Sequence, residues 1–398
     1  MRGPAVVSVG MAVLGVGSYV FLVAAGRSLS VAEFGRLSVL WSLLFGVVGG
    51  LSFAFEQETV RATAAYGVGE DTRRIGLILL GCLVLAEVGI LSYFQIGGDA
   101  SLNDRSIAMP LAFGTLGLPT AAYVRGLLIG GKRFGVGALE LGAEGLIRGL
   151  LAVVCAAMLL GPGAFEFVLT GAPLVATLAV TPLAFRSRSS VPSSRTWSVL
   201  MKDLGVLLAG GGLAIVVLNL GPLITSIKFG STVAAGFTAL FTLARLPVFF
   251  SAPVAAALLP RFVVAARSSS KELRRSVRHT VGALAAVLLP VGLLIGLMVP
   301  VVVRVLYGNR YAGSTLLAIA LVESGIVHLL SLVVQAALVA GGRRSRVVAG
   351  WAVGLVVLLV FVFVIPGGGV TRVGYAYLTS ALASAAIMYW AFFEAPRA

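Results

Sequence analysis

Charge is what this chain lacks most. Only 11% of its 398 residues are Asp, Glu, Lys or Arg, while 59% are hydrophobic. A soluble domain needs about 25% charged residues, so nothing larger than a loop is left to face water. The chain has two cysteines, Cys82 and Cys155, both inside apolar runs and far apart, which argues against a disulfide framework or a cysteine metal site. The four aspartates, Asp71, Asp99, Asp104 and Asp203, all fall outside the apolar runs. There is no Walker loop and so no ATP site. There is also no His/Ser/Asp grouping, no metal-ligand cluster and no acidic pair on an outer loop. The expectation is a protein that is not an enzyme and carries no cofactor or metal.

Apolar runs of about twenty residues, long enough to cross a bilayer, fill most of the chain. They predict twelve helices, near residues 4–26, 35–55, 75–96, 107–129, 134–160, 164–184, 204–227, 233–259, 281–305, 316–340, 347–365 and 372–393. The first run could also be read as a signal peptide. It is longer than a usual signal core, and it is kept here as a spanning helix. The net charge of +15 would suit nucleic acid, but the bases sit in short loops between apolar runs. Placing the N-terminus in the cytoplasm puts most of the 30 Lys and Arg on that side: Arg61, Arg73 and Arg74; Lys132 and Arg133; Arg186 to Lys202; Arg261 to Arg278; and Arg343, Arg344 and Arg346. The outer side keeps Arg27, Arg36, Arg105, Lys228, Arg304, Arg310 and Arg372. This positive-inside pattern supports both the helix count and cytoplasmic termini in a bacterial plasma (inner) membrane, with anionic lipids as contacts and no nucleic acid.

The halves of the chain echo each other. Arg27 to Arg61 holds a span and its shoulders, and a fainter copy begins at Lys228, with Gly35 and Gly236 each eight residues in. Gly130-Gly131-Lys132-Arg133 recurs as Gly341-Gly342-Arg343-Arg344, and Gly97 recurs as Gly308, both displaced by 211. The expected fold is all-α and polytopic. Six helices in each half (1–190 and 204–398) would form two bundles joined by a cytoplasmic linker at 191–203. An even helix count per half makes these parallel repeats, related by an axis along the membrane normal.

Charges at bilayer depth cost at least about 2.5 kcal/mol each and normally face a bundle interior or an aqueous cavity. On the fifth span Glu140, Glu144 and Arg148 share one face, with Glu144 and Arg148 in the favourable order for an ion pair. They read as a self-neutralised pair between helices or as a cavity wall. The tenth span carries the polar stripe Ser324, His328, Ser331 and Gln335 beside Glu323. The stripe must face protein or water and could be no more than interhelical hydrogen bonding. The eighth span carries Thr238, Thr242 and Arg245, then Pro247, which suits a bend. Arg245 lies near mid-span with no carboxylate within a turn, so it needs a partner on another helix or an anionic ligand. Arg27 and Lys228 sit at matched helix ends, and Arg125 lies a turn inside the fourth span; such bases often just snorkel. Glu56 and Glu58 can pair with Arg61 or with neighbouring loops as a gate.

Three short motifs carry a resemblance: Leu29-Ser-x-x-Glu33-Phe34-Gly35; Arg245-x-Pro247 with the later Leu259-Pro260; and Leu306-Tyr307-Gly308-Asn309-Arg310-Tyr311. With the architecture, they resemble Wzx-like polysaccharide-biosynthesis flippases of the multidrug/oligosaccharidyl-lipid/polysaccharide exporter superfamily. The resemblance implies a polyprenyl-diphosphate-linked oligosaccharide turned from the cytoplasmic to the outer leaflet by alternating access, with glycan assembly enzymes as possible partners. It also implies a cationic cavity, with Arg245 and Arg148 facing the diphosphate, Arg27 and Arg125 behind them, and His328 and Gln335 in its wall. Glu140, Glu144 and Glu323 would neutralise those bases or couple transport to cations. The alternatives are a drug or cation antiporter of the same superfamily, which would favour acids over bases as substrate partners, and a membrane glycosyltransferase or ligase.

Overall fold

The computed structural model describes residues 2–96, 107–185, 195–249, 262, 269–311, 313–340 and 343–394, and these are helical throughout apart from short turns. The described residues trace twelve long helices: α1 (Arg2–Ser28), α2 (Val31–Tyr66), α3 (Glu70–Ile96), α4 (Ala108–Gly130), α5 (Phe134–Ala157), α6 (Pro162–Ala184), α7 (Trp197–Asn219 continued by Gly221–Phe229), α8 (Ser231–Ala244 continued by Leu246–Phe249), α9 (Ser270–Tyr307), α10 (Thr315–Ala340), α11 (Arg344–Phe363) and α12 (Thr371–Phe393). Among the described residues ten helices are long and apolar enough to cross a membrane. The fifth span is not one of these ten, because three charges interrupt it, and α8 is described only as far as 249.

Two helices run well past their expected ends. Ser30 caps α2 by accepting from the Glu33 amide, and the Glu33 carboxylate accepts from the Ser30 amide at 2.9 Å, a capping box. No glycine or proline then follows in the last turns until Gly67, whose φ of 75° ends the helix. Glu56, Glu58 and Arg61 therefore lie inside α2, where the sequence expectation had them at its shoulder. Ser269 likewise accepts from the Glu272 amide at 3.1 Å and starts α9, a helix of 38 residues, about 57 Å long. The basic run Lys271 to Arg278, expected in a loop, is its first two turns.

The chain divides into two compact units, Met1–Ser231 and Thr232–Ala398. The sequence counts α7 with the second half, but its contacts lie in the first unit. There α2 and α7 meet along a seam of small residues. A Cβ added to Gly50 would lie 2.8 Å from the Gly212 carbonyl oxygen, and one on Gly212 would lie 2.8 Å from that of Gly50. One end of the seam is held by Ser42, whose hydroxyl donates to the Asn219 carbonyl and accepts from the Leu223 amide at 3.4 Å. Such close backbone approach drives helix association in lipid, where apolar side chains gain nothing by leaving it. Each helix carries a π-helical stretch at the seam, Leu43–Val48 in α2 and Leu208–Gly212 in α7; such turns are frequent at functional sites. Helix α1 packs against α5 in the same way, with Gly10 on Ala138 and Gly17 on Gly145.

The internal repeat reappears as geometry. Arg133 precedes α5 with φ −90° and ψ 51°, and Arg343 precedes α11 with φ −94° and ψ 48°. The Arg133 amide donates to Leu128 O at 2.8 Å, and the Arg343 amide donates to Leu338 O at the same distance. The Arg133 side chain then caps the end of α6 at Leu183 O. That of Arg343 caps the end of α12 through Ala391 O, Phe392 O and Glu394 O. Arg133 therefore matches Arg343 at a displacement of 210, one less than the glycine pairs suggest. Gly97, Gly341 and Gly342 lie outside the described residues, as do the outer loop with Arg105, residues 191–194 of the expected linker and Leu259-Pro260; the rest of that linker, from Trp197, is the start of α7.

Candidate functional site

In the first unit the charged groups form two networks on opposite sides of α2. Glu56 and Glu58 are two residues apart, about 200° around the helix, so they face away from each other. Glu56 accepts two hydrogen bonds from Arg125, from Nε at 3.1 Å and Nη2 at 3.0 Å. Arg125 also donates to Glu140 Oε2 at 2.9 Å, and Glu140 accepts from Thr177 at 3.3 Å. This ties α2, α4, α5 and α6 together. Two turns further along α5, Arg148 is fully buried: it pairs with Glu144, donates to Ser18 at 2.9 Å and lies 5.2 Å from the Phe45 ring centre. Across these two groups three carboxylates face two guanidiniums. The set thus has one carboxylate more than it has guanidiniums, with Glu140, Glu144 and Arg148 buried and Glu56 and Arg125 partly exposed.

On the far side of α2, the buried Glu58 is bound by Arg61 at 2.9 Å and by Arg195 at 2.7 Å. Arg195 also holds Asp203 at 2.7 Å and pairs with Asp71 at 3.5 Å, while Arg61 reaches Asp203. Arg195 thus fastens the start of α7 to the ends of α2 and α3. This is the pairing expected of Glu58, extended by residues that the sequence placed in loops.

In the second unit Pro247 interrupts α8 as expected. Proline has no amide to donate and crowds the carbonyl four residues earlier, and the helix breaks at Arg245. The Arg245 guanidinium lies 4.1 Å from the Phe241 ring centre and 5.7 Å from that of Tyr377 on α12, within reach for cation–π attraction. His328 lies on α10 about one turn past Gly325, where an added Cβ would sit 3.5 Å from the carbonyl of Ala244, the residue before Arg245. It stacks on Trp351 of α11 with centroids 4.5 Å apart. The Trp351 indole donates to Gln335 Oε1 at 2.6 Å. His328 Nε2 is buried and makes no hydrogen bond among the described residues. The structure thus brings together Arg245, His328 and Gln335, three residues singled out in the sequence, around aromatic rings that were not.

The other residues of the stripes turn inward on their own helices. Ser324 donates to Leu321 O and Ser331 to Val327 O, and Thr238 and Thr242 bond to carbonyls four residues back. Glu323 points elsewhere: a Cβ at Gly292 of α9 would meet its Oε1 at 2.8 Å. Arg27 is exposed in the last turn of α1, where the helix dipole favours a cation. Of the four arginines expected to face an anion, Arg148 and Arg125 are therefore committed to carboxylates. Two buried or half-buried acids were missed, Glu87 in α3 and Glu166 in α6. Each is a single acid within an apolar run of the sequence, with no second charged residue at helical spacing to mark it.

No protein-family model matches the sequence, and no curated protein matches it. Solved structures do. The Vibrio cholerae MATE transporter VcmN, in a mutant form, is similar with TM-score 0.67 and 14% identity, over 98% of this chain and 94% of that one. An inward-facing multidrug resistance MATE family transporter of the MOP superfamily is similar with TM-score 0.64 and 13% identity, over 95% and 93%. A MOP superfamily transporter from Pyrococcus furiosus, described as having a binding pocket of reversed polarity, is similar with TM-score 0.65 and 14% identity, over 99% and 96%. The chain is a polytopic membrane protein with the fold of MATE transporters. At these identities the likeness is one of fold.

Proposed function

We propose that this protein is an ion-coupled transporter of the MOP kind that exports an amphiphilic cation by alternating access. The observation that carries this reading is the group of three carboxylates on two guanidiniums in the first unit. Its excess negative charge gives a proton or small cation a place to sit. Arg125 bridges Glu56 and Glu140, so occupation of that site bears on the packing of four helices at once. The multidrug transporters that share the fold support the same reading. The Arg195 network, fastened at the ends of α2, α3 and α7, would serve as the latch that one access state closes.

A second reading keeps the lipid-linked oligosaccharide flippase, and one observation favours it. Arg245 lies against Phe241 and Tyr377 beside His328, an arrangement suited to an anionic head on a large amphiphile. Reconstituted vesicles separate the two. Efflux of ethidium and movement of a fluorescent polyprenyl-diphosphate oligosaccharide are measured with wild type, Glu140→Gln and Arg245→Gln. On the antiporter reading ethidium moves and Glu140→Gln abolishes gradient-driven efflux. Glycan movement that survives Glu140→Gln and is lost in Arg245→Gln would establish the flippase instead.

A further inference from the structure

The two halves treat the same basic turn differently. In the second half the turn carries one acid: Glu394, at the end of α12, pairs with Arg346 at 3.1 Å, and its backbone carbonyl accepts from Arg343. At the displacement of 210 that aligns Arg133 with Arg343, the place of Arg346 is taken by Val136 and that of Glu394 by Ala184, followed by Phe185. The first half has therefore neither member of that ion pair, and what remains of the turn's charge is Lys132 and Arg133. A groove of about 640 Å³ opens there, lined by Lys132 and Arg133 together with Val6, Phe134, Val136 and Leu183, and none of its described lining residues is a carboxylate. That volume is in the range of small-molecule sites.

We infer that this groove binds an anionic phospholipid, whose phosphate sits at the rim beside Lys132 and Arg133. Three features select a lipid over a soluble anion. The groove lies where α1 begins, α5 begins and α6 ends, which is the boundary of the spanning region. Its walls are aliphatic and aromatic, and Val6 stays exposed at its edge, giving an acyl chain an apolar path. Lys132 is exposed and held at φ 59°, a left-handed conformation that glycine usually fills at a helix C-terminus. The ammonium therefore stands at the rim on a turn whose backbone is strained for any residue but glycine. Arg133, already bonded to Leu183 O, adds positive charge beneath it. This inference is independent of what the protein transports.

The test counts lipids retained by the purified full-length protein in native mass spectrometry. The protein is taken from vesicles of equal phosphatidylglycerol and phosphatidylcholine. Wild type should retain phosphatidylglycerol at least tenfold over phosphatidylcholine. Lys132→Glu should erase that preference, as should Lys132→Gly, which relieves the backbone. The control Lys228→Glu, exposed at the end of α7, should keep it, and so should added inorganic phosphate at millimolar concentration. Equal retention of both lipids by wild type, or an unchanged preference in both Lys132 variants, would overturn the inference. Displacement by inorganic phosphate alone would also overturn it, because the site would then be one for a soluble anion.

Discussion

Replacing Arg148 by methionine probes whether its charge serves structure. Its side chain is 0% exposed and its partner Glu144 is 4% exposed. Arg148→Met removes the charge-assisted bond to Ser18, the pairing with Glu144 and the contact with Phe45, and it strands the Glu144 carboxylate among packed helices. Breaking one side of a buried ion pair costs about 3–5 kcal/mol. Replacing both partners by apolar groups of similar volume is neutral or stabilising, by about 1–4 kcal/mol. The expected series is therefore a loss of about 3–5 kcal/mol for Arg148→Met and a return to within about 1 kcal/mol of wild type for Glu144→Leu/Arg148→Met. SDS-driven unfolding in mixed micelles reads both values. The double variant should also transport at close to the wild-type rate. A stable double variant that has lost transport would show that Arg148 meets substrate, and the structural reading of the pair would fail.

Further outcomes follow from the same geometry. Arg195→Ala leaves the buried Glu58 with Arg61 alone and loosens the start of α7; unfolding should come about 2–4 kcal/mol earlier, with faster proteolysis of the linker before Trp197. Gly212→Ala pushes a methyl against the Gly50 carbonyl and should cost about 1–3 kcal/mol as overpacking, whereas Gly236→Ala, with nothing within 4 Å, should not destabilise. Trp351→Phe leaves Gln335 Oε1 without its indole donor and should cost about 1–3 kcal/mol; Trp351→Phe/Gln335→Leu should recover most of it.

Much of the fold was legible because lipid permits so few alternatives: a run of twenty apolar residues in a bilayer can only be a helix. The misplaced helix ends came from capping. Ser30 with Glu33, and Ser269 with Glu272, start helices that continue through charged turns, and hydropathy stops at the first cluster of charge. The repeat was legible at Gly130 to Arg133, but its register depended on a backbone turn, which composition does not record. At the candidate site, the Glu144–Arg148 pair could be read from its spacing because both residues share one helix. The pairing of Arg125 with Glu56 and Glu140, and the meeting of Arg245, His328 and Trp351, depend on contacts between distant helices, which no local spacing encodes.

The central claim is that the excess carboxylate around Arg125 carries the coupling ion. Luminal pH in reconstituted vesicles, followed with a trapped fluorescent indicator after ethidium is added outside, tests it most directly. The account predicts that substrate entering wild-type vesicles drives protons out and raises luminal pH. It also predicts that Glu140→Gln, still folded and still exchanging substrate, gives no pH change. An equal pH rise in Glu140→Gln, or substrate entry into wild-type vesicles with no proton or sodium movement, would contradict it.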